Sequence, residues 1–287
     1  MNKFWNRAGW LSLAVCALLA CLVLQVIMGA VVMLPAAVWA GVQAGREGIT
    51  DIARMEAMIL EKSMDFIPWG VLLYHVFSLP VFGLWYYFGC GRPKAANPFR
   101  ILTQKAILLV IITGFGLNLL ANGIAMLLQF ITPGLYEKYL SMMETAGMGQ
   151  NTITIVASVL LAPMGEELLC RGIIMHYLSK MSDGMGSKRM AFWTANIIQA
   201  FFFGIMHGNF IQGVYAFVLG LGLGLLCEKY QSLYPAILCH FVINALSVYI
   251  MGHLFSWIPE SLLSAFILTI TGLAISFVSI WIKDTPQ

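Results

Sequence analysis

Four polar side chains of the kinds that hydrolyse amide bonds stand inside strongly apolar stretches of this sequence: Glu166, His207, His240 and Asn244. A glutamate held away from bulk solvent can take a proton from a captive water. A histidine can hold that same water or protonate the leaving amine. His240 and Asn244 are four residues apart, on one face of a helix, and together can donate to a developing oxyanion. Phe203 and His207 share a face in the same way. Two histidines and a glutamate are also a zinc ligand set. The His-Glu-x-x-His pattern that puts both histidines on one helix is absent. A divalent metal such as zinc would thus be held by Glu166, His207 and His240 from separate helices, and a metal-free site stays equally open.

Glu167 and Arg171 have a different reading. A charge at the centre of a membrane helix costs roughly 2.5–3.5 kcal/mol, so Glu166, Glu167 and Arg171 unpaired would cost on the order of 8–10 kcal/mol. Glu167 and Arg171 lie four residues apart and can pair as structural support. Glu166 is rotated about 100° away and is left free to face a cavity. The remaining histidines, His75, His176 and His253, read as interfacial or core hydrogen-bonders.

The elements that carry these residues follow from composition. Of 287 residues 60% are hydrophobic and 10% charged, and the mean hydropathy is +0.84. A soluble domain is about 45–50% apolar and about 25% charged, so a soluble enzyme and a disordered chain are excluded. A net charge of +3 is no phosphate-binding surface, so no nucleic-acid partner is expected. Continuous rather than alternating apolar runs argue against an outer-membrane barrel. The fold class is all-α: a polytopic membrane bundle in contact with lipid, in the cell membrane.

A bilayer core of about 30 Å needs roughly 20 apolar residues per helix. Eight runs qualify, at about 10–40, 67–90, 106–132, 152–179, 190–206, 211–227, 234–251 and 261–282. With both termini cytoplasmic, the cytoplasmic segments hold eleven Lys and Arg, including Arg92, Lys94, Lys180 and Lys188. The outer segments hold four: Arg46, Arg54, Lys62 and Lys138. That is the positive-inside bias. In the outer loop 41–66, Ile52, Met55, Ile59 and Phe66 recur near helical period, which predicts a short interfacial helix capped by Thr50. Gly220 and Gly224 predict close helix packing. The six cysteines form no Cys-x-x-Cys pair and read as buried small hydrophobes. The chain reads as one domain over 1–287, with the chemistry at about 152–252.

Three sequence features match a known family. Ala162 to Gly172 contains Glu166-Glu167-x-x-x-Arg171 and resembles the Glu-Glu-x-x-x-Arg motif of the CAAX protease and bacteriocin-processing family. Phe203 to His207 resembles its Phe-x-x-x-His motif, and His240 to Asn244 its His-x-x-x-Asn motif. The resemblance covers about 156–245. It implies an intramembrane endopeptidase with an eight-helix core. In that resemblance Glu166 and His207 activate water, and His240 and Asn244 stabilise the oxyanion. The implied substrate is a membrane-associated or lipidated peptide or protein entering from bilayer or cytoplasm. Cys170 stands where an aromatic is common in bacterial members.

Two other classes fit the same residues. A proton-coupled transporter also uses intramembrane Glu and His, and predicts inverted repeats. A non-catalytic scaffold or bacteriocin-immunity protein on the same fold tolerates loss of motif residues. One geometric condition must be met by the peptidase: counted from the cytoplasmic ends, Glu166 and His207 fall deeper than His240. Helix tilt, or a seventh helix starting deep at Pro235, would align them.

Overall fold

The computed structural model describes residues 3–90, 98–147, 151–250 and 257–284. His253, Arg92 and Lys94 lie outside the described residues. The described elements are helices: α1 (Lys3–Glu47), α2 (Ile52–Met64), α3 (Ile67–Gly89), α4 (Pro98–Ile101), α5 (Gln104–Ile131) and α6 (Pro133–Thr145) come first. They are followed by α7 (Thr152–Ser182). The chain ends with α8 (Lys188–Met206), α9 (Phe210–Tyr230), α10 (Tyr234–Ile250) and α11 (Leu262–Trp281).

Each of the eight expected runs falls in a helix. Six of them, α1, α3, α5, α7, α9 and α11, are long and apolar enough to cross a membrane. The other two differ for physical reasons. α8 begins on Lys188-Arg189 and carries Asn196 and Gln199 inside the bundle. α10 has only 17 residues. The outward side chains of α11, such as Phe266, Ile270 and Phe277, are exposed and apolar, as a surface against hydrocarbon requires.

The short helix of the first outer loop is present as α2. Its cap is Asp51, whose side chain accepts from the Ala53 amide at 3.0 Å, and not Thr50. Ile52, Leu60 and Met64 of α2 stay exposed, which suits a helix lying in an interface. The helix α6 was not anticipated. It begins on Pro133 and buries Tyr139 against Tyr215 of α9. Of the six cysteines, Cys21, Cys170 and Cys239 are buried, but Cys16 is exposed.

Two apolar clusters form the interior. One joins α1, α3, α7 and α8 around Phe82, Leu169, Ile173 and Phe203. The other joins α5, α9, α10 and α11 around Val110, Leu223 and Ile243. Hydrocarbon offers no hydrophobic drive between helices, so close packing must hold them. Small residues supply it. A Cβ at Gly220 would meet the Cα of Ala200 at 3.0 Å, and one at Gly224 would run into Asn196. Gly224→Ala is therefore expected to lower stability by about 1–3 kcal/mol through overpacking. Gly9→Ala, with nothing within 4 Å of its Cβ position, is expected to leave the thermal unfolding midpoint in detergent unchanged. Equal midpoints for the two variants would refute this account of the α8–α9 contact.

Candidate active site

The site begins with a distortion of α7. Two stretches of π-helix, Ala157–Leu161 and Leu168–Ile174, flank the Glu166-Glu167 pair. Pro163 is one cause. The Ala162 amide donates to the Ala157 carbonyl, five residues back. In that register the Ser158 carbonyl would receive the amide of residue 163, but proline has no N–H. The vacancy is filled from another helix: Asn244 Nδ2 of α10 donates to the Ser158 carbonyl at 2.8 Å. Asn244→Ala would leave a carbonyl in the bundle without a donor, at about 1–3 kcal/mol. The expected result is a lower unfolding midpoint, with Asn244→Gln restoring little because its amide sits one methylene further out. An unchanged midpoint for Asn244→Ala would rule this tie out.

Glu167 is fully buried, and one of its oxygens serves two partners. Arg171 Nη1 donates to Oε1 at 2.8 Å, and His240 Nδ1 donates to the same Oε1 at 2.8 Å. The expected Glu167–Arg171 pair is thus present in the structure, with His240 of α10 added to it. Arg171 Nη2 continues to the Gly220 carbonyl of α9 at 3.1 Å, which also accepts from Gln199 Nε2 of α8 at 3.0 Å. Four helices meet on this network. Phe203 lies at its centre: the Arg171 guanidinium sits 4.5 Å from its ring centroid, and the rings of His207 and His240 stand at 90° to it.

The histidine tautomers follow from their partners. His240 Nδ1 faces a carboxylate oxygen and so carries a proton, leaving Nε2 to face Glu166 Oε2 at 3.8 Å. That distance is too long for a direct hydrogen bond, and two polar atoms so placed can share a water. His207 Nδ1 lies 2.8 Å from the Phe203 carbonyl, which can only accept. Its Nε2 is therefore the nitrogen available for other work.

Glu166 and His207 line one cavity of about 490 Å³, together with Gln25, Tyr74, His75 and Gln212. The Glu166 side chain retains 16% exposure while Glu167 retains none. Neighbours in sequence have been given opposite settings, as their 100° separation requires. His240 and Asn244 are not on the cavity wall; His240 sits behind Glu166, and the Asn244 amide is engaged with Ser158. The depth condition is met by the start of α10. A Cβ at Gly114, ten residues (about 15 Å) into α5, would meet the Cys239 carbonyl at 3.1 Å. Cys239 is only five residues, about 7 Å, into α10. The seventh run thus begins deeper than its neighbour and carries His240 to the level of Glu166.

The metal alternative does not find its geometry. Among the described residues no group of three or more His, Cys, Asp or Glu is placed to hold an ion. Glu166, His207 and His240 as arranged do not form a ligand set.

Sequence reasoning missed His75. It is buried at 6% exposure, its Nδ1 has no partner, and it shares the cavity with Glu166. Its neighbour Tyr74 meets Cys21 of α1, hydroxyl to sulfur at 3.0 Å. Gln25 reaches the Met206 carbonyl at 3.5 Å. A polar side chain in the middle of an apolar run, Gln25 in particular, was the available signal. His176, by contrast, lies against Tyr177 near the far end of α7.

With this geometry in place, residues 148–246 match the family model described as Type II CAAX prenyl endopeptidase Rce1-like. This segment is similar to an Rce1-like domain. Nothing among curated proteins or solved structures matches the chain. The Rce1-like segment spans α7 to most of α10 and holds Glu166, Glu167, Arg171, Phe203, His207, His240 and Asn244. Gln25, Tyr74 and His75 lie outside it, so α1 and α3 supply the facing wall. With six apolar helices and this domain, the chain is a multi-pass membrane protein.

Proposed function

We propose that the protein is an intramembrane endopeptidase that hydrolyses a peptide bond in a membrane-associated or lipidated peptide or protein. The observation that carries the reading is the Glu166 carboxylate, with His240 Nε2 at 3.8 Å, on the wall of a cavity that also holds His207. The Rce1-like match supports the same class. In this reading a water donates one hydrogen bond to Glu166 and one to His207 Nε2. Glu166 takes its proton as the oxygen attacks the scissile carbonyl carbon. His240, held at Nδ1 by Glu167, lies behind Glu166 and positions that carboxylate from Nε2 at 3.8 Å. The proton on Glu166 passes to the leaving amine as the C–N bond breaks. Asn244 acts by positioning α10 against α7. The reading puts both termini on the cytoplasmic side, on the excess of Lys and Arg in the segments joined to them.

The test is cleavage of quenched-fluorescent peptides by purified protein in detergent. His207→Gln is expected to lower kcat at least a hundredfold with an unchanged unfolding midpoint. Wild-type rates in this variant would overturn the assignment of the water.

A further inference from the structure

The turn between α8 and α9 carries a chain of hydrogen bonds that ends in the cavity. Gly208 makes the turn at φ +69°, a conformation glycine adopts without strain, and Asn209 follows as the N-cap of α9. The Gln212 backbone amide can only donate, and it donates to Asn209 Oδ1 at 2.8 Å. That contact fixes which end of the Asn209 amide is nitrogen. Both hydrogens of Nδ2 are then used, one on the His207 carbonyl at 3.2 Å and one on the Gln212 side-chain Oε1 at 2.8 Å. The Gln212 amide is oriented in its turn. Its oxygen is held by Asn209, while Nε2 has no partner among the described residues.

Gln212 lines the cavity together with Glu166 and His207. The site thus holds unused N–H donors on a nitrogen whose orientation is set. Gln25, the other side-chain amide on the wall, is not fixed in this way. Its Nε2 approaches the Met206 carbonyl only to 3.5 Å, the outer limit of a hydrogen bond. A donor without an acceptor is costly away from bulk water. A peptide in the cavity brings the matching group, since its backbone carbonyls have left their own waters behind.

The place of Nε2 relative to the attacking water sets the register. The His207 ring lies back along α8, with Nδ1 against the Phe203 carbonyl, whereas the His207 carbonyl points forward to Asn209. Gln212 therefore stands about one helical turn, roughly 5 Å, beyond the ring. An extended chain rises about 3.3 Å per residue. We propose that Gln212 Nε2 anchors the substrate by donating to a backbone carbonyl one or two residues from the scissile bond, with Asn209 acting through it as a positioning residue. The anchor reads main chain, and it sets which peptide bond meets the water held by Glu166 and His207. This rests on the peptidase reading above.

The experiment uses the purified full chain in detergent and one decapeptide that it cleaves. The peptide is made again with a thioamide in place of each amide in turn near the scissile bond, the scissile amide excepted. Sulfur accepts hydrogen bonds weakly. Gln212→Met is expected to raise KM at least tenfold with kcat within threefold of the parent. One thioamide position should raise KM at least fivefold in the parent and leave that of Gln212→Met unchanged. Each variant is compared with itself, so a change in its folding stability does not enter this comparison. Asn209→Ser keeps a cap on α9 but frees the Gln212 amide, and should raise KM about threefold. Thioamides that act equally on parent and Gln212→Met, or a fall in kcat with KM unchanged, overturn the anchor while leaving the peptidase intact. A parent KM in Asn209→Ser overturns the positioning role of Asn209. Absence of cleavage of every peptide by the parent overturns the peptidase reading and the anchor with it.

Discussion

Glu166→Gln should fold as the parent does and cleave peptide at least a thousandfold more slowly. The substitution keeps shape and hydrogen-bonding reach but removes the only carboxylate among the described residues that faces the cavity. Positioned general bases contribute about 10²–10⁴ in rate, and here the same group also returns the proton to the leaving amine. Stability should be little changed, because Glu166 makes no short hydrogen bond and its nearest ionic partner, His240, stays bound to Glu167. The measurement is single-turnover cleavage beside thermal unfolding in detergent. A variant that keeps more than a tenth of the parent rate would show that another group activates the water.

Glu167→Ala should do the opposite, acting first on the fold. It removes the shared acceptor of Arg171 and His240 and leaves a guanidinium buried with 0% side-chain exposure. Breaking one side of a buried ion pair costs about 3–5 kcal/mol. Arg171 keeps only the Gly220 carbonyl and the face of Phe203. Folded yield and unfolding midpoint should both fall sharply. In the double variant Glu167→Met with Arg171→Met both charges are gone, and stability should recover most of the loss. Activity should not recover, since His240 Nδ1 has lost the oxygen that fixes its tautomer. A double variant that cleaves at the parent rate would show that the Glu167–His240 bond has no part in catalysis, and a fully stable Glu167→Ala would show that the pair does not hold the bundle.

These two neighbours show how far the sequence can be read. Their separate roles were legible in it: Glu167 lies one turn from Arg171, and Glu166 does not. The eight apolar runs were legible because burial in hydrocarbon demands long apolar stretches, and each lies in a helix. The short α2 was legible from its period, though its cap was misplaced by one residue, since Thr50 and Asp51 both suit an N-cap. Other features were not legible. α6 has mixed polarity and a weak period, and it is held by Tyr139 against Tyr215, seventy-six residues away. The polar interior of α8, Asn196 and Gln199, lowered its apparent fitness to span while donating to the Leu221 and Gly220 carbonyls of α9.

The sequence by itself determined that this is a helical membrane protein and which few polar residues its bilayer-spanning segments must justify. Apolar length and i, i+4 spacing are local properties, and the desolvation of a charge is large enough to mark each exception. Only the tertiary structure decided which of those residues meet. It joined His240 to Glu167 and placed His75, unremarkable in sequence, on the same cavity as Glu166. It also gave the Asn244 amide to a carbonyl that Pro163 had left without a donor. Those outcomes depend on the axial register between helices, which is set by glycine contacts such as Gly114 against Cys239 and by where α10 begins. A shift of a few ångströms in that register changes every inter-helix partner while leaving the periodicity of each helix as it was.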